Sequence, residues 1–163
     1  MSKNDAILTL SEDDLRAYLV RNPDGFLKTL NKMKEKQKPF VMSWSWPAFF
    51  VTFIWMAYRR LWWILALVLG SLIALSVLEE VLEFSAGNGI GTIISVIFAM
   101  QGKLIVIQNA TKAVAEADKQ GLAGEERIAF LAEKGGVSVL GAWIASILFV
   151  SFFGLVIFAI FFT

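Results

Sequence analysis

LWWILALVLGSLIALSVL, residues 61–78, is 18 positions without a charge. As a helix rising 1.5 Å per residue it reaches roughly 27 Å, close to the hydrocarbon thickness of a bilayer, about 30 Å. Working outward, residues 90–107, IGTIISVIFAMQGKLIVI, form a second stretch of the same length, with Gln101 and Lys103 near one end. A third, residues 137–162, is 26 residues long and uncharged, enough to span with tilt. The composition agrees: 57% hydrophobic against 18% charged residues and a mean hydropathy of +0.65, where a water-soluble domain carries about 25% charged residues. The expected fold is an all-α integral membrane protein with three transmembrane helices.

Lys and Arg in the connections set the orientation. Ten precede residue 61, none falls in 79–89, four fall in 108–136, and none follows the third span. The N-terminus and the connection 108–136 are therefore expected in the cytoplasm, with the acidic loop and the C-terminus outside. The first twenty residues are polar and acidic with no apolar core, so no signal peptide is expected and the first span serves as its own insertion signal.

The chain divides accordingly into a cytoplasmic helical arm (1–43), an interfacial aromatic helix (44–60), two transmembrane helices with an acidic external loop (61–107), a cytoplasmic helical connection (108–136) and the third transmembrane helix (137–163). In the arm, Ser11 is placed to cap the amide of Asp14, with Leu10 and Leu15 as a hydrophobic staple, for a helix running to Arg21. Asn22-Pro23 breaks it, and Pro23 opens a second helix with Asn22 as its cap. Phe26, Leu27, Leu30 and Met33 share one face of that helix. Lys28, Lys32, Lys34, Lys36 and Lys38 lie on the other face and beyond it. They fit an electrostatic contact with anionic lipid headgroups at the cytoplasmic face, and equally the positive bias of any such protein. Nucleic acid is not an expected partner.

Five of the six tryptophans fall between 44 and 63. Trp and Tyr favour the headgroup level, where an apolar ring and a polar edge are both satisfied. Arg59 and Arg60 would cost several kcal/mol in the bilayer centre. Trp44, Trp46, Trp55, Tyr58, Arg59, Arg60, Trp62 and Trp63 are thus expected at the membrane interface, on a segment that lies flat or dips and then turns into the first span.

The pattern Trp46, Ala48, Phe49, Phe50, Trp55, Tyr58, Arg59, Arg60 resembles the hallmark of DUF2628, a family of small bacterial inner-membrane proteins of unknown function. Asn22-Pro23-Asp24 and Gly135-Gly136-Val137-Ser138 resemble flanking features of members, so the resemblance reaches from about residue 15 to 138. Thr52 and Phe53 stand where the family usually has Gly-Pro, so an unbroken interfacial helix is expected here. The resemblance implies a bacterial inner-membrane location and supplies no mechanism.

Glu79, Glu80 and Glu83 fit a solvated helix end better than a metal site, since only Asn88 and backbone carbonyls stand near. Lys103 is expected to snorkel to the headgroups; facing a polar path with Gln101 and Gln108 is the sharper alternative. Gly87 and Gly91, with Ser95, and Ser138, Gly141, Ala142, Ala145 and Ser146 form small faces that let membrane helices approach closely, within one chain or between chains. In the connection, residues 109–120 read as an Ala-rich amphipathic helix with Ala110, Ala113, Val114 and Ala117 on its apolar face. Glu125 to Lys134 reads as a second, with Ile128, Leu131 and Ala132 inward and Gly135-Gly136 closing it. The pair forms a hairpin able to dock on the arm.

With no Cys and no His, the commonest nucleophile, general base and metal ligand are missing. No enzyme and no cofactor are expected. The expected function is that of a scaffold, accessory subunit or regulator working through cytoplasmic helices, with a membrane-protein partner or a homo-oligomer. The alternative is a small homo-oligomeric channel or transporter.

Overall fold

The computed structural model describes residues 3–81 and 89–162. Gly87, Glu83 and Asn88 lie outside the described residues. Among those described there is no strand, and the helices follow as α1 Lys3–Thr9, α2 Glu12–Leu19, α3 Asp24–Glu35, α4 Trp46–Phe50, α5 Thr52–Tyr58, α6 Trp62–Val81, α7 Ile90–Lys119, α8 Gly124–Lys134 and α9 Val139–Phe162. Helices α6, α7 and α9 carry the three segments long and apolar enough to cross a membrane.

These three segments are not where the core lies. No residue of the apolar stretch of α6 is buried within the protein, whereas a third of that in α7 is. Trp63 is 80% exposed and Leu140 72%, an apolar outside of the kind that marks an interaction surface. The core runs instead from Ile7, Leu15, Leu19, Leu30 and Met33 of the N-terminal helices to Met56 of α5 and Phe98, Ile107 and Ala110 of α7. Helices α1, α2, α3 and α8 pack around the C-terminal half of α7 as a polar layer. Helices α4 and α5 join that layer to α6 and α9.

Several local expectations hold. The Asp14 amide donates to Ser11 Oγ at 2.9 Å, and Leu10 and Leu15 of the staple are both buried. Phe26, Leu27, Leu30 and Met33 are buried on one face of α3.

Others are corrected. The first arm helix stops at Leu19, because Val20 and Asn22 take left-handed φ of 60° and 52°. That φ removes Asn22 as the α3 cap. Pro23 takes the cap position without a side-chain bond, and its carbonyl receives the amides of Phe26 and Leu27. The short helix α1 was not anticipated; it is too brief to show a period and is held by Ile7 in the core.

Residues 109–120 are not a separate helix. α7 runs unbroken for 30 residues, since no Gly or Pro lies between Leu104 and Lys119 and Ile107, Ala110 and Ala117 continue one fully buried stripe. Its end is a Schellman closure: Gly121, at φ 66°, donates to the Asp118 carbonyl while Leu122 donates to Ala117.

The aromatic segment is not one helix either. Val51, at φ −130° and ψ 48°, breaks it into α4 and α5. Thr52 supports the break, its hydroxyl donating to the Ala48 carbonyl at 2.7 Å and lying 3.1 Å from Ser95 Oγ, whose own hydroxyl can donate to it. A side-chain hydroxyl thus occupies a carbonyl that the interrupted ladder leaves open. At the other end of α5, Arg60 sits at φ 57° and a second Schellman closure, Arg60 to Ala57 and Leu61 to Met56, turns the chain into α6.

Candidate functional site: the latched polar layer and the arginine pair

The polar layer is closed by contacts between residues far apart in sequence. Arg127 of α8 donates to both carboxylate oxygens of Asp14 on α2, at 2.7 and 3.0 Å, and to Asp118 of α7 at 2.6 Å. Hydrogen bonding from Arg127 holds the Asp14 carboxyl below its ordinary range, with burial working the other way. The Arg127 guanidinium is held above its own range by Asp14 first and Asp118 second. Lys134 reaches Glu116 at 2.9 Å. The helical hairpin expected from 109–134 therefore does dock on the arm, but rotated: Arg127 and the fully buried Leu131 face inward, and Ile128 is left 57% exposed.

Gly135 and Gly136 complete the docking. The Gly136 amide donates to the Tyr18 carbonyl at 2.6 Å. A Cβ on Gly135 would overlap that same carbonyl and the Tyr18 ring. Helix α8 meets α2 there because Gly135 has no side chain.

The arginine pair divides its work. Arg60 donates to the carbonyls of Glu133 and Gly135 at 2.9 and 3.1 Å, placing a cation on the C-terminal end of α8. Arg59 turns inward and is 7% exposed. Its guanidinium lies 4.5 Å from the Phe26 ring centroid and donates to the Arg21 carbonyl at 3.3 Å. Its Nε has no hydrogen-bond partner among the described residues. Burial lowers the Arg59 pKa, opposed by Tyr58 and Tyr18; burial raises that of Tyr18.

The residues expected at the membrane interface are thus split. Trp44, Trp46, Trp62 and Trp63 are exposed, and Trp44 and Trp46 pack edge to face at 5.4 Å. Trp55, 7% exposed, lies over Gly102 of α7, where a Cβ would come within 2.8 Å of its ring. Tyr58 is half-buried, and its carbonyl accepts the Ser138 amide at 2.8 Å, tying α5 to the start of α9.

Of the small residues, Gly141 accommodates the Trp62 ring. Ser138 Oγ accepts the Gly141 amide at 3.0 Å, and Ser146 bonds back to the Ala142 carbonyl. Ala145 lines an apolar cleft between α6 and α9. Gly91 has open space around it.

Lys28, Lys32, Lys36 and Lys38 are exposed and Lys34 is half-buried. Lys103 departs from its expected free reach. Its Nζ donates to the Trp44 carbonyl at 2.9 Å and to Ser43 Oγ at 3.2 Å, because the 43–45 strap is pinned on α7 by Ser45 N–H to the Ala99 carbonyl at 2.8 Å.

Sequence reasoning missed Arg127, Asp118, Tyr18, Thr52 and Gly102 as contact-makers. Asp14 and Arg127 are 113 positions apart, and no local pattern links them.

Neither curated proteins nor solved structures include a match to this chain. The sequence profile of one family, described as "Protein of unknown function (DUF2628)", matches residues 12–112, from the start of α2 to the polar half of α7, and the chain belongs to that family.

Proposed function

We propose that this protein is a non-catalytic, multi-pass protein of the bacterial inner membrane, with the polar layer in the cytoplasm and the C-terminus outside. In this reading the layer acts as a scaffold, accessory subunit or regulator for a membrane-protein partner, and the basic face of α3, Lys28 and Lys32 first, contacts anionic lipid headgroups. One observation carries it: the ends of α7 and α8 and the N-terminal arm are latched into one folded surface by Arg127, which bridges Asp14 and Asp118. A chain that invests its polar residues in a rigid docking layer, with no His or Cys, is suited to holding something. The Lys and Arg count on this side supports the orientation.

The alternative, a homo-oligomeric channel or transporter, is favoured by the open space at Gly91 and the apolar cleft between α6 and α9. The bonds of Lys103 to the strap weaken it. Cross-linking of the tagged full-length protein in native membranes, with mass spectrometry, separates the two. A stoichiometric partner joined through lysines of the layer supports the scaffold. Cross-links to itself alone, with ion flux after reconstitution that changes in Lys103→Leu, overturn it.

A further inference from the structure

Lys28 and Lys32 are one helical turn apart on α3, and Lys103 reaches up from α7 to the same place. Together with Thr29 and Ser43 they line a cavity of about 280 Å³. The Thr29 and Ser43 hydroxyls are 2.9 Å apart. Lys103 uses two donors on the strap and, as an ammonium, has a third. None of the residues lining the cavity is acidic. Three cations gathered without a counter-charge repel one another, and an anion between them removes that cost.

Gly25, Trp44 and Lys103 also line a second, larger cavity of about 530 Å³. Its walls include the aromatic rings of Phe26, Trp46, Trp55 and Tyr58. Arg59 lines it too, more than nine-tenths buried and with its Nε unpartnered among the described residues. A positive bias explains exposed lysines on α3. It does not explain why Lys103, the one charge on the apolar half of α7, is brought beside them, nor why a buried arginine without an acid shares the adjoining space.

We propose that the two cavities form one lipid site, in which Lys28, Lys32 and Lys103 hold the phosphate of an anionic phospholipid and the aromatic cavity takes the glycerol and the start of an acyl chain. A lipid fits better than free phosphate because an aromatic, largely apolar chamber adjoins the cations, and because Trp44 and Trp46, which line it and are themselves exposed, suit the headgroup level. The site deepens the membrane placement proposed above and rests on it. It replaces a diffuse basic patch with a discrete one, since Lys34, Lys36 and Lys38 are not among its lining residues.

The test titrates full-length protein in neutral detergent with dioctanoyl phosphatidylglycerol, dioctanoyl phosphatidylcholine and glycerol 3-phosphate, read by native mass spectrometry and tryptophan fluorescence. The expected result is a preference for phosphatidylglycerol over phosphatidylcholine that falls about tenfold in Lys28→Gln/Lys32→Gln. The same charge removed off the site, Lys36→Gln/Lys38→Gln, leaves the preference within about twofold. All four lysines are exposed, so both variants are expected to fold, which circular dichroism checks. An equal loss in the two pairs, no preference between the lipids, or glycerol 3-phosphate binding as tightly as the lipid would each overturn the site. Such a failure leaves partner cross-linking of the layer untouched, whereas loss of the partner leaves lipid preference intact.

Discussion

Arg127 grips Asp14 through both carboxylate oxygens, at 2.7 and 3.0 Å, across 113 positions of chain. Its remaining nitrogen takes Asp118 at 2.6 Å, so one side chain holds the arm, the end of α7 and α8 together. Both partners of the main bridge are about four-fifths covered, which spares the pair some of the screening that makes open surface bridges weak.

Asp14→Asn should therefore lower stability by about 1 kcal/mol, and Arg127→Gln by a similar amount, with the double variant costing less than the sum. Denaturant melts of the detergent-solubilised protein measure this. Independent losses would show that the bridge carries no coupling.

Acid should act through the same carboxylate. Hydrogen bonding from Arg127 depresses the folded-state pKa of Asp14 below the ordinary 3.8. Its contribution is then fully present above that value and is lost as pH falls through the folded one. Wild type should lose more stability than Asp14→Asn between about pH 4 and pH 2. Parallel melting curves for the two proteins across that range would remove Asp14 from the acid response.

Gly135→Ala should separate α8 from α2. The added Cβ meets the Tyr18 backbone, which has no room to give, at a cost of about 1–3 kcal/mol. Limited proteolysis should then cut near Gly121–Gly124 before other sites. Gly89→Ala is the control: its φ is −83° and open space surrounds it, so the change should stay within about 0.5 kcal/mol.

Gly102→Ala presses on the Trp55 ring and should cost about 1–3 kcal/mol. Adding Trp55→Phe frees space there, so the double variant should recover part of that loss. If the two losses add, Trp55 is not the group that Gly102 accommodates.

Thr52→Val keeps the shape and removes the hydroxyl that bonds to Ala48 and Ser95. A loss of about 1–2 kcal/mol, restored in Thr52→Ser, is expected from the carbonyl left without its donor. A neutral Thr52→Val would mean that the break at Val51 needs no side-chain support.

Much of the architecture was legible because it rests on local signals. The apolar stretch at 61–78 is α6, the Ser11 cap begins α2, and Gly135-Gly136 ends α8. What was illegible depends on partners distant in sequence. Nothing beside Val51 announces a break, which is held by Thr52 and by Ser95, 43 positions away. Trp55 and Arg59 have the residue types of an interface, yet α7 and Phe26 bury them. Lys103 carries no local sign of the strap it binds, and Ile128 is left exposed on a helix that turns both Leu131 and Arg127 inward, the latter to acids on two other helices.

Helix α7 crosses from the apolar half of the molecule to the polar layer as 30 continuous residues, about 45 Å of rod without a joint. A rod of that length behaves as a lever. If its apolar end leans by about 10° to suit a thinner bilayer, the far end swings by about 8 Å. Asp118 sits at that far end, in the grip of Arg127. In the membrane placement proposed above, the inclination of α7 would in this way be geared to the seating of the layer at its end.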